Sequence, residues 1–448
     1  MTCAATALLT DFYQLTMGHA YFKLGMSETA TFELFVRKLP GSRRFLLAAG
    51  LEQALTYLEQ WRFGSEELEF LARLGDFDEP FLDRLARLRF TGDVYAMAEG
   101  TAFYANEPIL RITAPILEAQ LVESRLLNIV HFQTLIASKA ARCVLAARGR
   151  RLVDFGLRRA HEAEAGLYAA RAAYLAGFHA TATVEAGRRF GIPLSGTLAH
   201  SFIEAHDRED VAFCNFVESQ RGTTSLLVDT YDTERAAHRV ANLAHELAKR
   251  ADPRRIEAVR IDSGDLAAQA RIVRGVLDEH GCRDIRIVLS GGLDEHAIEE
   301  LLAAGAPVDA FGVGTSLDVS ADAPALDMVY KLQAYSGSPR RKRSPGKATW
   351  PGVKQVFRRR GAGREALGDE IALQGEDPGG EPLLEQVMSQ GRRLAAPVPL
   401  AGIREGCSRE LRSLPADARQ LAEGGASYPV RMSEALCALA AQVDALTP

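Results

Sequence analysis

Arg260 and Asp262 stand two apart where a short apolar run, Ile256 to Ile261, gives way to Ser263-Gly264-Asp265. In an extended chain alternate side chains share a face, so a guanidinium and a carboxylate would point into one cavity. The first can grip a carboxylate through paired hydrogen bonds, and the second can take hydroxyls or a metal. A buried structural ion pair is the alternative reading of the same two residues. Asp229 ends the preceding apolar run. With Asp262 it makes a candidate Mg2+ pair, because magnesium is satisfied by one or two carboxylates and several waters.

Two glycine turns come next, Ser290-Gly291-Gly292 and Gly312-Val313-Gly314-Thr315, each after an apolar run. Glycine lets backbone amides close on a phosphate, and a following helix adds its positive N-terminus. One such pair alone reads as a tight turn. Two on consecutive late strands point to a phosphate, since barrel enzymes bind phosphate there. His200 closes Gly196-Thr197-Leu198-Ala199-His200. A lone histidine among apolar neighbours is usually a core side chain, but at a strand end imidazole is a competent nucleophile toward phosphoryl groups.

The elements that must hold these residues alternate. Strands are predicted at Arg151 to Phe155, Ile192 to Leu198, Ser225 to Val228, Ile256 to Ile261, Ile285 to Leu289 and Val308 to Gly312. Amphipathic helices at Thr233 to Arg250, Leu266 to His280 and Asp294 to Ala304 lie between them. Such alternation predicts a parallel sheet or barrel with its chemistry at the strand exits, here with about six strands where a complete barrel has eight.

Ahead of it come a strand from Glu28 to about Leu39, helical spacing from Leu51 to about Arg89 broken at Gly75, and strands at Val94 to Ala98 and Ile109 to Thr113. This α+β layer is expected to end at Pro115, before a long helical stretch from Ile116 to Arg148. After it come a strand at Met328 to Tyr335, a basic loop from Arg340 to Lys347, a loop-dominated stretch to about Pro399 and a helix from Ser433 to Leu446. The fold class is therefore α/β: an incomplete (β/α) barrel over residues 116–335, an α+β domain over 1–115, and a segment 336–448 that packs back on that domain.

Composition excludes several functions. The 448 residues are 47% hydrophobic and 25% charged with a net charge of -5, which gives no electrostatic reason to expect nucleic acid or an anionic membrane. The cysteines at 3, 143, 214, 282, 407 and 437 form no C-x-x-C pair and have no histidine cluster near them in sequence. That pattern argues against a zinc site or a disulfide framework. No signal peptide and no apolar run of roughly 20 residues is visible. A cytoplasmic location is expected.

Five segments together resemble the nicotinate phosphoribosyltransferase family: Thr10-Asp11-Phe12-Tyr13-Gln14-Leu15-Thr16-Met17, Asp154-Phe155-Gly156-Leu157-Arg158-Arg159-Ala160, Gly196 to Phe202, Arg260 to Asp265, and Gly312 to Leu317. The motifs run in the family's order to Lys347-Ala348-Thr349, with a weaker late match at Tyr428-Pro429-Val430-Arg431. The resemblance implies a type II phosphoribosyltransferase fold with an irregular barrel, working as a homodimer with shared active sites. It implies that nicotinate and phosphoribosyl pyrophosphate give nicotinate mononucleotide and pyrophosphate, coupled to ATP hydrolysis through a phosphohistidine at His200.

Further roles follow from the same resemblance. Phe155, with Tyr13 from the partner subunit, would sandwich the pyridine ring. Arg260 and Thr197 would hold its carboxylate, and Asp262 and Asp229 the ribose hydroxyls or magnesium-bound pyrophosphate. Gly291, Gly292, Gly314 and Thr315 would bind the 5-phosphate, while Arg158, Lys342 and Lys347 contact pyrophosphate or ATP. A solvated basic loop is the other reading of the two lysines.

The chain departs from the family pattern in two places. Glu162 stands near a usual glycine, and Ala180-Thr181-Ala182-Thr183 replaces a Gly-Thr-Ser-Asn-like segment. Nicotinamide-using relatives carry an acidic residue about where Ala182 stands, so its absence favours the acid over the amide. Nicotinamide or quinolinate as substrate, a sugar-phosphate barrel enzyme, and a degenerate homologue that only binds remain as alternatives. The sugar-phosphate reading predicts a lysine or base near a strand end, and no lysine occupies one.

Overall fold

The run Thr29–Val36 is rich in β-branched and aromatic residues, which pack well on a pleated surface, and it forms a central strand. It pairs antiparallel with Met328–Tyr335 on one side and Leu110–Pro115 on the other. Alternation of Phe32, Leu34 and Val36 would bury one face, but Thr31, Glu33 and Phe35 are buried as well, so both faces of this strand are covered. Phe32 stacks on Tyr330 with ring centroids 4.8 Å apart. Fully burying such a ring stabilises the fold by about 1.5–3 kcal/mol.

The computed structural model describes residues 6–41, 43–250, 254–421 and 427–446, so Cys3 lies outside the described residues. The chain divides into two units, Met1–Ser138 with Ala325–Pro448, and Lys139–Pro324. The boundaries expected at 115 and 335 thus fall at 138 and 324. The physical reasons are local to the first unit: the helix Ile116–Leu121 packs on the helix Phe12–Lys23, and Met328–Tyr335 is a strand of the N-terminal sheet.

In that first unit, helices Leu51–Gln60, Ser65–Leu74 and Glu79–Arg87 fill the predicted helical stretch, and Gly75 ends the second with a φ of 78°. The stretch expected to be loop-dominated is instead largely sheet. Lys354–Arg360 and Ala366–Leu373 pair antiparallel within a four-stranded sheet, and Glu385–Ser389 joins Asp93–Ala96. Glycines and prolines around the strands made the stretch read as loop, and charge on the strands hid their burial. Arg358 would read as solvated, yet it is fully buried, with Nε donating to Asp369 Oδ1 at 2.9 Å and Nη2 to the Ala102 carbonyl at 2.8 Å. A buried guanidinium is tolerated where carboxylates neutralise it, and Glu410 adds a second. Helix Leu400–Ser413 was not anticipated; Glu434–Leu446 was.

The second unit carries a six-stranded sheet in the order Ala180–Thr181, Arg151–Asp154, Ala310–Val313, Arg286–Leu289, Arg255–Ile261, Thr223–Leu227. Every neighbouring pair is parallel. Six strands leave two edges, so the barrel is incomplete. Helices Thr233–Lys249, Leu266–Glu279 and Glu295–Ala303 lie where the sequence placed them. One predicted strand is wrong: residues 192–198 make only a single bridge, Leu194 to Thr181. Pro193 lacks the N–H a ladder requires, and the two-residue strand Ala180–Thr181 takes that place in the sheet.

Cys143, Cys214, Cys282, Cys407 and Cys437 are free thiols. Cys282 Sγ lies 3.7 Å from His245 Nε2, a neighbour that sequence distance concealed. Among the described residues no three His, Cys, Asp or Glu side chains are grouped as metal ligands, and no helix is long and apolar enough to cross a membrane.

Candidate active site

Strand Arg255–Ile261 buries Val259 and Ile261, and Arg260 between them takes the opposite direction with only 15% of its side chain exposed. Its Nη1 donates to Thr197 Oγ1 at 2.5 Å, and its Nη2 stands 3.6 Å from Asp262 Oδ2. The guanidinium carbon is 5.8 Å from the centroid of the Phe155 ring, close enough for cation–π attraction. Its Nε is buried without a hydrogen-bond partner. Burial pushes the guanidinium pKa down, Asp262 and Asp229 act against that, and the charge of Arg158 adds to it. A structural ion pair would be tighter and fully satisfied. This one is loose, with a donor left over.

Asp229, two residues beyond strand Thr223–Leu227, accepts from the Asp262 backbone N–H at 3.0 Å and from Ser263 Oγ at 2.6 Å, both through Oδ2. Its Oδ1 is buried without a partner. Ser290 donates to Asp262 Oδ1. The two carboxylates are therefore tied together through one loop, each with an oxygen these bonds leave unused. Next to Asp229, Thr230 places its hydroxyl 3.1 Å from His200 Nδ1. His200 opens the short helix His200–Glu204, so the irregular stretch after Pro193 carries Thr197 to Arg260 and His200 to Thr230, the neighbour of Asp229.

Phe155 follows strand Arg151–Asp154, and its backbone N–H donates to the Val313 carbonyl at 2.8 Å. The neighbouring strand makes room for the ring. A Cβ on Gly312 would meet Phe155 Cε2 at 2.4 Å, and one on Gly314 would meet the Phe155 carbonyl oxygen at 3.2 Å. Gly312 is thus required for packing the aromatic ring, a role its place beside a phosphate-type turn did not suggest.

The glycine turns differ from expectation in one respect. Gly291 and Gly292 have φ of 93° and 66°, and a Cβ on Gly291 would fall 2.1 Å from the Asp262 carbonyl oxygen, so only glycine fits. The helix after them, however, is already capped: Asp294 accepts from Ala297 N–H at 2.9 Å. Asp265 and Asp232 cap the helices that follow the two preceding strands in the same way. A carboxylate at the cap occupies the donors an anion would use. At the Gly314 turn the following helix, Thr315–Asp318, has no side-chain cap, and Thr315 is exposed with its Oγ1 accepting from Arg159 Nη1 at 3.4 Å. Arg159 rather than Arg158 therefore meets this turn, although both are exposed.

The remaining expected residues belong to the first unit. Tyr13 lies on helix Phe12–Lys23 with 48% of its surface exposed, beside Phe12 at 52%. Lys342 and Lys347 are exposed in a loop closed by the bond from Lys347 N–H to the Ser344 carbonyl at 3.0 Å. Sequence reasoning gave no role to Ser263, Ser290 and Thr230, and offered Arg159 only as an alternative to Arg158 for a second carboxylate. All are neighbours of predicted residues or sit in the same turns, which was the available signal.

An open parallel sheet whose strand exits gather an arginine, two linked carboxylates, a histidine and glycine turns defines a half-barrel α/β enzyme. Residues 8–131 match the model of the nicotinate phosphoribosyltransferase N-terminal domain, and residues 150–339 match that of the nicotinate phosphoribosyltransferase family. A nicotinate phosphoribosyltransferase of Mycobacterium tuberculosis is 49% identical over 96% of this chain and 92% of its own length. That of Bacillus subtilis is 42% identical over 83% and 76%. The crystal structure of human nicotinic acid phosphoribosyltransferase superposes with a TM-score of 0.86 at 30% identity, covering 97% of this chain and 99% of the human one. The chain belongs to the nicotinate phosphoribosyltransferase family, whose reaction feeds NAD biosynthesis.

Proposed function

We propose that this protein joins the ring nitrogen of nicotinate to the anomeric carbon of phosphoribosyl pyrophosphate, releasing pyrophosphate. The observation that carries this reading is Arg260: a largely buried guanidinium with an unpaired Nε, beside the Thr197 hydroxyl and an aromatic ring. A pyridine carboxylate supplies what each group lacks. Two oxygens meet the guanidinium and hydroxyl, and the flat ring lies on Phe155, where the cationic ring of the product gains cation–π attraction. Tyr13, exposed on its own helix, would close the other face from a partner subunit in a homodimer.

The pyridine nitrogen is itself the nucleophile, so no protein base has to attack the sugar. The chain's contribution is to align the two substrates and to stabilise charge at the departing group. Asp262 and Asp229 would orient the ribose hydroxyls. The buried, unpartnered Oδ1 of Asp229 beside a second carboxylate also fits Mg2+ completed by water. Bound there, the ion would offset the charge of the pyrophosphate. The 5-phosphate would sit on the amides of the Gly291-Gly292 and Gly314-Thr315 turns, with Arg158, Lys342 and Lys347 available to the outer phosphates of pyrophosphate or ATP.

His200 is the residue through which ATP would act. His200 Nδ1 lies 3.1 Å from the Thr230 hydroxyl, and in the tautomer whose Nδ1–H donates to Thr230 the lone pair lies on Nε2, which can receive a phosphoryl group. A cytoplasmic location accords with free thiols throughout the described residues. A second reading, quinolinate as acceptor, draws on Arg158, whose charge reaches Arg260. Purified protein given Mg2+ and phosphoribosyl pyrophosphate, with nicotinate, nicotinamide or quinolinate in turn, each with and without ATP, separates these readings. Preferential nicotinate turnover stimulated by ATP is expected. Preference for nicotinamide would overturn the assignment of Arg260, and preference for quinolinate would replace the first reading by the second.

A further inference from the structure

Beneath the Phe155 platform lie two carboxyl groups for which the reaction has no direct use. Asp154 and Asp318 are each only 1% exposed. Each oxygen of Asp154 accepts one bond: Oδ1 from the Gly156 N–H at 2.8 Å and Oδ2 from Thr181 Oγ1 at 2.6 Å, which leaves a lone pair on each. Asp318 ends the short helix Thr315–Asp318 on the adjacent strand exit, and both its oxygens are buried with no donor to meet them. It is packed against the same turn, since a Cβ on Gly156 would fall 2.2 Å from Asp318 Cγ.

An ionised carboxylate sealed without donors is costly, and two facing carboxylates cannot both ionise. Burial and the charge of Asp154 push the Asp318 pKa well above the usual carboxylate range, and among the described residues no cation acts on it. Burial also raises Asp154, while its bonds to Thr181, Gly156 and Asp318 act in the opposite sense. One proton shared by the pair would relieve both, and Asp318, whose two oxygens meet no other donor, is the group placed to carry it.

We propose that Asp318 is a protonated positioning residue whose hydrogen bond to Asp154 ties the Phe155-Gly156 turn to the Gly314-Thr315 turn, fixing the pyridine platform relative to the phosphate turn. The geometry supports this on each side of the bond. Strands Arg151–Asp154 and Ala310–Val313 are parallel neighbours with Asp154 opposite Val313, so the pair bridges the exits of adjacent strands. Gly156 has no Cβ, which admits Asp318, and Gly312 has none, which admits the Phe155 ring. The role rests on the nicotinate reading above; the protonation of Asp318 does not.

Two variants and one spectrum test it. Asp318→Asn keeps a neutral donor of the same shape, and Asp318→Ala removes it. Nicotinate KM should stay within about twofold of wild type for Asp318→Asn and rise about tenfold or more for Asp318→Ala, with kcat changing less than KM. Infrared difference spectra, wild type minus Asp318→Asn at pH 8, should show the carbonyl stretch of a protonated carboxylic acid. That readout needs no activity and survives if Asp318→Ala fails to fold. Absence of the band, or an Asp318→Asn variant as impaired toward nicotinate as Asp318→Ala, overturns the proposal. A band in a protein that turns over no nicotinate would leave the protonated pair standing and remove the substrate reading instead.

Discussion

Arg260 donates through Nη1 to Thr197 Oγ1 at 2.5 Å while its Nε is buried with no partner, so half of the guanidinium is positioned and half is left for a ligand. Hydrogen bonds to charged groups are worth about 1.5–3 kcal/mol each. Arg260→Ala should therefore raise nicotinate KM by roughly ten- to a hundredfold and leave the KM for phosphoribosyl pyrophosphate nearly unchanged. Initial-rate kinetics varying each substrate check this, and equal loss of both would count against the assigned role.

His200 is held by Thr230 and touches neither Arg260 nor Phe155 among the described contacts. His200→Ala is expected to retain the rate seen without ATP but to lose stimulation by ATP and the acid-labile phosphate on the protein. Radiolabelled ATP with rapid gel analysis reads the second effect directly.

Asp229 braces the Asp262 loop through Oδ2 and leaves Oδ1 unpartnered. Asp229→Asn preserves the shape and removes the charge. The Mg2+ concentration giving half-maximal rate should rise about tenfold, while thermal stability changes little. An unaltered Mg2+ dependence would place the ion elsewhere.

Gly312 lies under the Phe155 ring with no room for a Cβ, which would stand 2.4 Å from Cε2. Gly312→Ala must tilt the ring. Nicotinate KM should rise severalfold with kcat reduced, and the effect should not add to that of Phe155→Ala in the double variant, as expected for coupled residues.

Glu162 adopts φ 86° and ψ 168°, a region essentially reserved for glycine, while its carboxylate accepts from the Glu164 N–H at 2.9 Å. Glycine at a helix cap loses little, whereas the relieved strain is larger. Glu162→Gly should raise the melting temperature by roughly 2 °C or more. A lower melting temperature would show that the cap outweighs the strain. Here the chain keeps a backbone conformation that its own residue disfavours.

Much of the second unit was legible because parallel strands are buried on both faces. Continuous apolar runs such as Ile256 to Ile261 stand out, and the polar residue that ends each run marks the exit. Legibility failed where those signals were absent. Ala180–Thr181 is too short to show a pattern, and Ile192 to Leu198 is apolar enough to mislead although Pro193 breaks its ladder. Lys354–Arg360 reads as loop among its glycines and prolines, and its charge hid its burial because the neutralising partners, Asp369 and Glu410, come from other elements.

By itself the sequence determined the α/β class, the strand exits and the identity of Arg260, Asp262, Asp229 and His200 as candidates, since these depend on residue type and short-range periodicity, whereas Phe155 became a candidate only through the family resemblance. Only the tertiary structure decided which of those groups are satisfied. The loose Arg260–Asp262 pair, the capping of three helix N-termini by Asp232, Asp265 and Asp294, and the sealed Asp154–Asp318 pair all depend on distances between segments far apart in the chain. Hydrogen bonding and desolvation act over a few ångströms, and sequence separation carries no information at that scale.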